Sequence, residues 1–227
     1  MHIPVRRGRA LGERAYGRPL ELVCVRHGRT AWNRARRFQG QSDIALDREG
    51  WSQARALGAR LAAERFDVAV SSDLKRALDT AKLIGNAAGV AIQEEPRLRE
   101  MSFGSWEGLM WSEITERIPP TSPSEPQPDT HVAPGGESFA ELCSRVRPVL
   151  SRVTARLPRN GRALIVSHAA VMHAILWLML EGSSESALGI VLAPASILRL
   201  RRASQSADTE RDGAASDKWT FEAVDGD

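Results

Sequence analysis

The chain has 227 residues, 42% apolar and 26% charged, with a net charge of +3. Those fractions belong to an ordinary soluble globular protein, and so small a charge makes no electrostatic case for a nucleic-acid partner. The longest apolar run, Ala169 to Leu180, is interrupted by His173 and falls short of the roughly 20 residues a membrane span needs.

Charge is unevenly placed. The first nineteen residues hold five Arg against one Glu, and 204–227 hold seven acids against two bases. Both read as poorly ordered extensions, a flexible basic one at 1–19 and an acidic tail at 204–227. The start has no apolar core of a secretory signal. Cys24 lies in an apolar strand pattern and Cys143 in a helical one, so both read as reduced core residues, and a cytoplasmic location is expected. Of the 31 basic residues 28 are Arg, a bias assigned to composition.

The expected elements run as follows. Leu20–Arg26 is a buried strand. A polar loop follows, and Asp47 is a suitable N-cap for a helix carrying Trp51, Ala54, Leu57 and Leu61 at helical spacing. "FDVAVSS" (66–72) is a second strand, and Leu74 to Ala88 an amphipathic helix stopped by Gly89. "VAIQEEPRLRE" suggests a third strand and a turn, and 108–118 a short helix. Residues 119–134 hold six of the twelve prolines and form a loop. Phe139 to Leu157 trace a long helix bent at Pro148. "RALIVS" (162–167) is a fourth strand, followed by an apolar helix over 169–181. Strands recur at 196–201 and at 218–223, the latter a short edge strand in the acidic tail.

Short apolar strands alternating with amphipathic helices predict an α/β protein: a sheet covered on both faces, in one domain over 20–203.

Three strands end in polar reactive residues: Arg26-His27-Gly28, Ser71-Ser72-Asp73 and Ser167-His168. An Arg beside a His where the chain leaves the core is costly unless an anion sits there. In open α/β sheets ligands bind beyond the carboxyl ends of the strands. That places His27, His168 and the segment around Arg76 at one crevice. A lone His after a strand is ordinarily structural; three equivalent strand ends are harder to dismiss. Two histidines with two arginines suit a phosphoryl group, because Arg offers a planar fork to phosphate oxygens and neutral imidazole is a nitrogen nucleophile. Gly28 would let the backbone approach the bound group. A proton donor for the leaving oxygen is available at Glu100 or Glu107.

Arg26-His27-Gly28 with Thr30 and Trp32-Asn33, then "FQGQSDIAL" (38–46), "SSDLKRALDTA" (71–81), "LREMSFGSWEG" (98–108), "GGES" (135–138) and "VSHAAV" (166–171) together resemble the histidine phosphatase superfamily, in its phosphoglycerate mutase-like branch. The likeness runs from about Leu20 to about Leu200 with the blocks in order. It implies a three-layer α/β/α sandwich with a mostly parallel central sheet and a phosphohistidine mechanism. By that likeness His27 is the nucleophile, and Arg26, Arg76 and His168 clamp the phosphate. Glu100 protonates the leaving oxygen and then activates water. Asn33 is a further pocket ligand, with Thr30, Gln39 and Gly40 as substrate-binding candidates from the same blocks.

No metal and no cofactor are expected: there is no HExxH, and His168 and His173, five apart, do not share a helical face. His173 reads as packed structure. Arg29 stands where many relatives carry Glu or Gln, and fits either the pocket rim or the solvated surface. Ala169 and Ala170 replace frequent glycines, which a helical φ at a helix N-terminus tolerates.

Mutase and phosphatase share the nucleophile. The mutases usually carry Arg-His-Tyr-Gly after the acid, whereas here Met101-Ser102-Phe103-Gly104 follow Glu100, the pattern of the phosphatases. The expected activity is hydrolysis of small phosphate monoesters, with a cofactor-dependent phosphoglycerate mutase as the alternative. A non-catalytic phospholigand-binding protein would be expected to lack one of His27, Arg26, Arg76, His168 or Glu100, and all five are present. The expected partner is a small phosphorylated metabolite, without nucleic acid or membrane; an oligomer is left open. Phe103, Trp106, Met110 and Trp111 fit an apolar pocket wall or packing against the proline-rich segment.

Overall fold

The computed structural model describes residues 19–116, 133–180, 190–202 and 219–225. Residues 1–18, most of the loop at 119–134 and 203–218 lie outside them, and with them most of the two charged extensions. Six strands form one sheet: β1 (Leu20–Arg26), β2 (Val68–Ser71), β3 (Gln93–Glu94), β4 (Arg162–Ser167), β5 (Ile197–Arg202) and β6 (Trp219–Asp225). Their order is β3-β2-β4-β1-β5-β6. The ladders from β3 to β1 are parallel, and β5 runs antiparallel between β1 and β6.

Alternation along the strands decides the layers. Leu22 and Cys24 of β1 and Ile165 of β4 pack against Leu142, Val146 and Val149 of α5 (Phe139–Arg156) and Ile175 of α6 (Ala169–Met179). Val23, Val25 and Leu164 point the other way, to Leu57 and Leu61 of α2 (Arg48–Leu61) and Ala81 and Ile84 of α3 (Lys75–Ala88). The result is the three-layer α/β/α sandwich. Both faces of the central strands are apolar because both are covered, and each large aliphatic so buried adds about 1.5–3 kcal/mol.

Helix ends follow local chemistry. Asp47 caps α2, its Oδ1 accepting the Gly50 N–H at 2.8 Å. Gly89, at φ +69°, closes α3 in the left-handed region. Leu74 at the head of α3 offers no side-chain cap, and Asp43 supplies one from the loop, accepting the Lys75 N–H at 2.8 Å. A Ser138–Glu141 capping box starts α5, which continues through Pro148 as one helix.

Two elements are shorter than their sequence suggests. The third strand is reduced to Gln93–Glu94, since Pro96 cannot donate to a ladder and the Glu95 carboxylate draws the next amide into a 3₁₀ turn. The helix expected from 108 begins at Trp111, as α4 (Trp111–Thr115), because Gly108 sits at φ +85° in a turn. A helix that was not expected, α1 (Ala31–Arg34), follows Thr30 directly, with Thr30 and Asn33 forming a reciprocal capping box.

The glycine after His27 has a different purpose from the one its sequence position suggests. A Cβ on Gly28 would lie 2.5 Å from the Gly50 carbonyl oxygen, and one on Gly50 would lie 2.0 Å from the Arg29 oxygen. The close approach is thus to the first turn of α2, and it seats the chain that carries His27 on that helix. Gly28→Ala is expected to lower stability by about 1–3 kcal/mol through overpacking and to reduce activity by displacing His27. A urea unfolding midpoint and a turnover rate both equal to wild type would contradict this packing.

Candidate active site

The sheet order brings three strand ends into one row. In the β1–β4 ladder Arg26 faces Ser167, and in the β2–β4 ladder Ser71 faces Val166. The His27 N–H then donates to the Ser167 carbonyl and the Ser72 N–H to that of Val166, both at 3.0 Å. His27 and His168 emerge side by side, ring centroids 5.1 Å apart. His27 borders a cleft of about 420 Å³ lined also by Arg26, Asn33, Gln39, Gly40, Arg76 and Glu100, with Arg36, Arg37 and His173 among the others.

The tautomer of His27 follows from one contact. Its Nδ1 lies 2.7 Å from the Gly28 carbonyl oxygen, and only an N–H can sit there, so Nδ1 carries the proton and Nε2 the lone pair. The ring is also held neutral. Burial lowers its pKa well below the usual imidazole value, the Arg76 and Arg26 cations lower it further, and both outweigh the Gly28 hydrogen bond. A neutral ring with Nε2 bare is the form in which imidazole is nucleophilic.

His168 is neutral for the same reasons, burial first and then Arg76, but it is differently engaged. The Arg76 Nε–H donates to its Nδ1 at 3.3 Å, so the His168 proton is on Nε2, 2.9 Å from Ser72 Oγ. His168 is fully buried and is not among the residues lining the cleft. It can reach a phosphoryl group only by exchanging one of those partners.

Arg76, with no exposed surface, is fixed from behind. Its Nη1 donates to the Ser42 carbonyl and its Nη2 to that of Gly40, each at 2.7 Å. Burial lowers its pKa to about 10, leaving it cationic at neutral pH. Two of its five N–H bonds remain uncommitted. Arg26 donates through Nη1 to the Leu192 carbonyl, while its Nε is buried without a hydrogen-bond partner among the described residues. A buried donor left unpaired is expensive, and an acceptor oxygen is what this one lacks.

Glu100 is 8% exposed. One carboxylate oxygen accepts the Met101 N–H at 2.9 Å, and the other faces the Ala170 N–H of the first turn of α6 at 3.5 Å. Arg145, on α5, holds the segment from outside: it donates to the Arg97 and Glu100 carbonyls and grips the Glu137 carboxylate. Glu107 is fully occupied by loop donors, accepting from the Gln41, Ser42 and Phe103 amides and the Ser42 hydroxyl. It is a brace between two loops, and of the two carboxylates only Glu100 lines the cleft.

Several expectations change in detail. Thr30 is fully buried, outside the cleft lining, with its hydroxyl engaged by Gln39 and the Asn33 amide; it positions Asn33 and Gln39, which do line the cleft. Arg29 is not among the residues lining the cleft, and its Nε donates to the Asp47 carboxylate at 2.9 Å. Ala169 and Ala170 sit in the first turn of α6, where a methyl group is accommodated. His173 is not merely packed: it lines the cleft, its Nε2 3.0 Å from the Ile190 carbonyl. Arg36, Arg37 and Arg145 carried no signal in the sequence, because in so Arg-rich a chain no single arginine stands out. Phe38 and Phe103 line the cleft and pack edge to face, ring centroids 5.1 Å apart.

The family model of the histidine phosphatase superfamily (branch 1) matches residues 22–212. The chain belongs to that superfamily. Over 172 residues it is 40% identical to a metal-independent phosphoserine phosphatase of Arabidopsis thaliana, covering 74% of this chain and 72% of the relative. It is 34% identical over 211 residues to a protein of Erwinia tasmaniensis named "Probable phosphoglycerate mutase GpmB", covering 90% and 92%. Among solved structures it resembles a mycobacterial glucosyl-3-phosphoglycerate phosphatase in complex with VO3, with TM-score 0.76, 29% identity and coverage of 89% and 96%.

The two neutral histidines of this superfamily member predict an acid-labile fold. Unfolded, each titrates near pH 6.5; folded, each does so well below. Below about pH 6.5 the unfolded chain therefore binds protons that the native one does not, and stability falls as pH falls, by up to about 1.4 kcal/mol per pH unit for each histidine. Urea unfolding between about pH 7.5 and 5 should show this slope, and His168→Gln should reduce it. A slope identical in the variant would contradict the assignment of a neutral native ring.

Proposed function

We propose that His27 Nε2 is the nucleophile of a phosphomonoesterase acting on small phosphorylated metabolites. The enzyme is a phosphoric monoester hydrolase. The observation that carries the reading is the Nδ1–H contact of His27 to Gly28, which leaves Nε2 bare beside the unpaired Nε of Arg26 and the uncommitted N–H groups of Arg76.

The roles follow in order. The Nε2 lone pair forms a bond to phosphorus as the ester P–O bond breaks, and protonated Glu100 gives its proton to the departing oxygen. Water then attacks the phosphohistidine while the Glu100 carboxylate takes its proton; the P–N bond breaks, inorganic phosphate leaves and His27 is neutral again. Arg26 and Arg76 offset charge on the phosphoryl oxygens, Asn33 and Gln39 supply further polar contacts, and His168 with Ser72 holds Arg76 in place. In phosphoryl transfer such positioning and charge stabilisation account for most of the catalysis.

The mutase reading has support in the likeness to the Erwinia protein, and the same enzyme assays separate the two. With 3-phosphoglycerate and 2,3-bisphosphoglycerate, a phosphatase liberates inorganic phosphate faster than it forms 2-phosphoglycerate. The reverse order would make the chain a mutase and leave the residue roles standing.

Intact-mass analysis after a non-acidic quench should show one phosphate adduct during turnover, absent in His27→Ala; full activity in that variant would rule out the covalent path. Glu100→Gln should slow an alkyl phosphate by about 10²–10⁴-fold, the usual worth of a general acid, and p-nitrophenyl phosphate far less, since nitrophenolate leaves without a proton. Equal losses on both substrates would assign the proton to another group.

A further inference from the structure

We infer that Arg36 is a specificity residue whose guanidinium takes a second anionic group of the substrate, so that the enzyme favours phosphomonoesters carrying a carboxylate or similar anion on the leaving group. This rests on the phosphomonoesterase reading and deepens it.

The first observation is the backbone. Helix α1 ends with the Arg36 N–H donating to the Asn33 carbonyl at 3.1 Å and the Arg37 N–H to that of Trp32 at 2.9 Å. This pair of bonds defines a closing turn whose left-handed residue is ordinarily glycine. Here that residue is Arg36, at φ +53°. A long side chain in that region is unfavourable, and such outliers concentrate where a ligand is gripped. The turn itself would form more readily with glycine, so the backbone gives no reason for an arginine.

The second observation is the side chain. Arg36 lines the cleft and is exposed, which places it at the mouth. It has no side-chain hydrogen bond or ion pair among the described residues. The other cleft arginines are engaged. Arg37 donates to the Gly108 carbonyl and the Glu113 carboxylate, Arg76 to two loop carbonyls and His168, and Arg26 to the Leu192 carbonyl.

The third is charge. Among the described residues four arginines line the cleft against one carboxylate, Glu100, and Glu113 compensates only Arg37. A phosphoryl group carries close to two negative charges at neutral pH, which Arg26 and Arg76 meet. One cation, Arg36, is left over. Because the turn hydrogen-bonds Arg36 to Asn33, the spare cation is tied to the same helix that presents Asn33 to the cleft. An anionic group at the far end of the substrate completes the balance, through the charge-assisted fork that arginine offers a carboxylate.

The test compares two three-carbon esters, 3-phosphoglycerate and glycerol 1-phosphate, which differ chiefly in the carboxylate. The wild type should prefer the former in kcat/KM. Arg36→Gly should cut that preference by about 5- to 10-fold, the scale of a charged hydrogen bond at a partly screened rim, mainly through KM, and should melt at the same or a higher temperature. Arg36→Lys should keep most of the preference, and raising salt should erode it in the wild type. A preference ratio that Arg36→Gly leaves within twofold of wild type would overturn the assignment, as would equal loss on both esters. If the wild type released phosphate from neither ester nor from p-nitrophenyl phosphate, the phosphomonoesterase reading would fail. With neither ester cleaved, Arg36 would be judged by calorimetric affinity for the same two compounds, where an unchanged ratio in Arg36→Gly would overturn the assignment in the same way.

Discussion

Six parallel pairings join β1 to β4, and at their last step Arg26 lies opposite Ser167, so two segments about 140 residues apart end in the same place. His27, His168 and Ser72 are neighbours because β4 is inserted between β1 and β2, and for no local reason. The apolar alternation of those strands fixes the register: a slip of one residue would turn Leu22 and Val23 to each other's helices. The site is therefore as rigid as the core beneath it. Histidines that must stay neutral, and an arginine with no access to water, can be held only by such a base.

The electrostatics of this row work against the free protein. Arg26 and Arg76 are cations removed from water, and among the described residues Glu100 is the one acid set against them in the cleft. The fold limits the cost in two ways. Arg76 is given carbonyl oxygens from the 40–42 loop, which Glu107 holds shut, and both imidazoles give up their charge. What remains is a deficit of negative charge and one orphaned donor, Arg26 Nε. A phosphoryl group answers both, bringing negative charge and an acceptor oxygen, and so the fold suits a transition state rich in oxygen charge.

The loops set the rest. Glu137 and Arg145 fasten the segment bearing Glu100 to α5, and Glu107 ties 103–107 to 40–42. Neither device touches a reacting atom, yet each carries a carboxylate or guanidinium taken out of solvent to fix a backbone. Arg36 belongs to the same group of loop residues but faces outward, and it belongs to the substrate side of the chemistry. Aromatic packing around Phe38 gives that side its wall, with Trp106 and Trp111 standing behind it.

Much was legible in one dimension. Apolar runs over 20–26, 66–72 and 162–167, helical spacing in α2, α3 and α5, and the caps at Asp47 and Gly89 all depend on neighbours within a few residues, and so does the placing of His27 and His168 just past buried strands. Motif order added the expectation of roles for Arg76 and Glu100, which spacing alone could not assign. The unreadable part is of another kind. That Thr30 braces Gln39 instead of meeting a ligand, that Gly28 serves the contact with Gly50, that Arg29 is taken by Asp47 and that His173 reaches the cleft each depend on which strand lies beside which and how a loop returns. Periodicity records which face a residue turns to the core, because burial is averaged over a whole face. It does not record which atom waits on the other side, because hydrogen bonds and ion pairs are decided by single distances between segments that only the tertiary fold brings together.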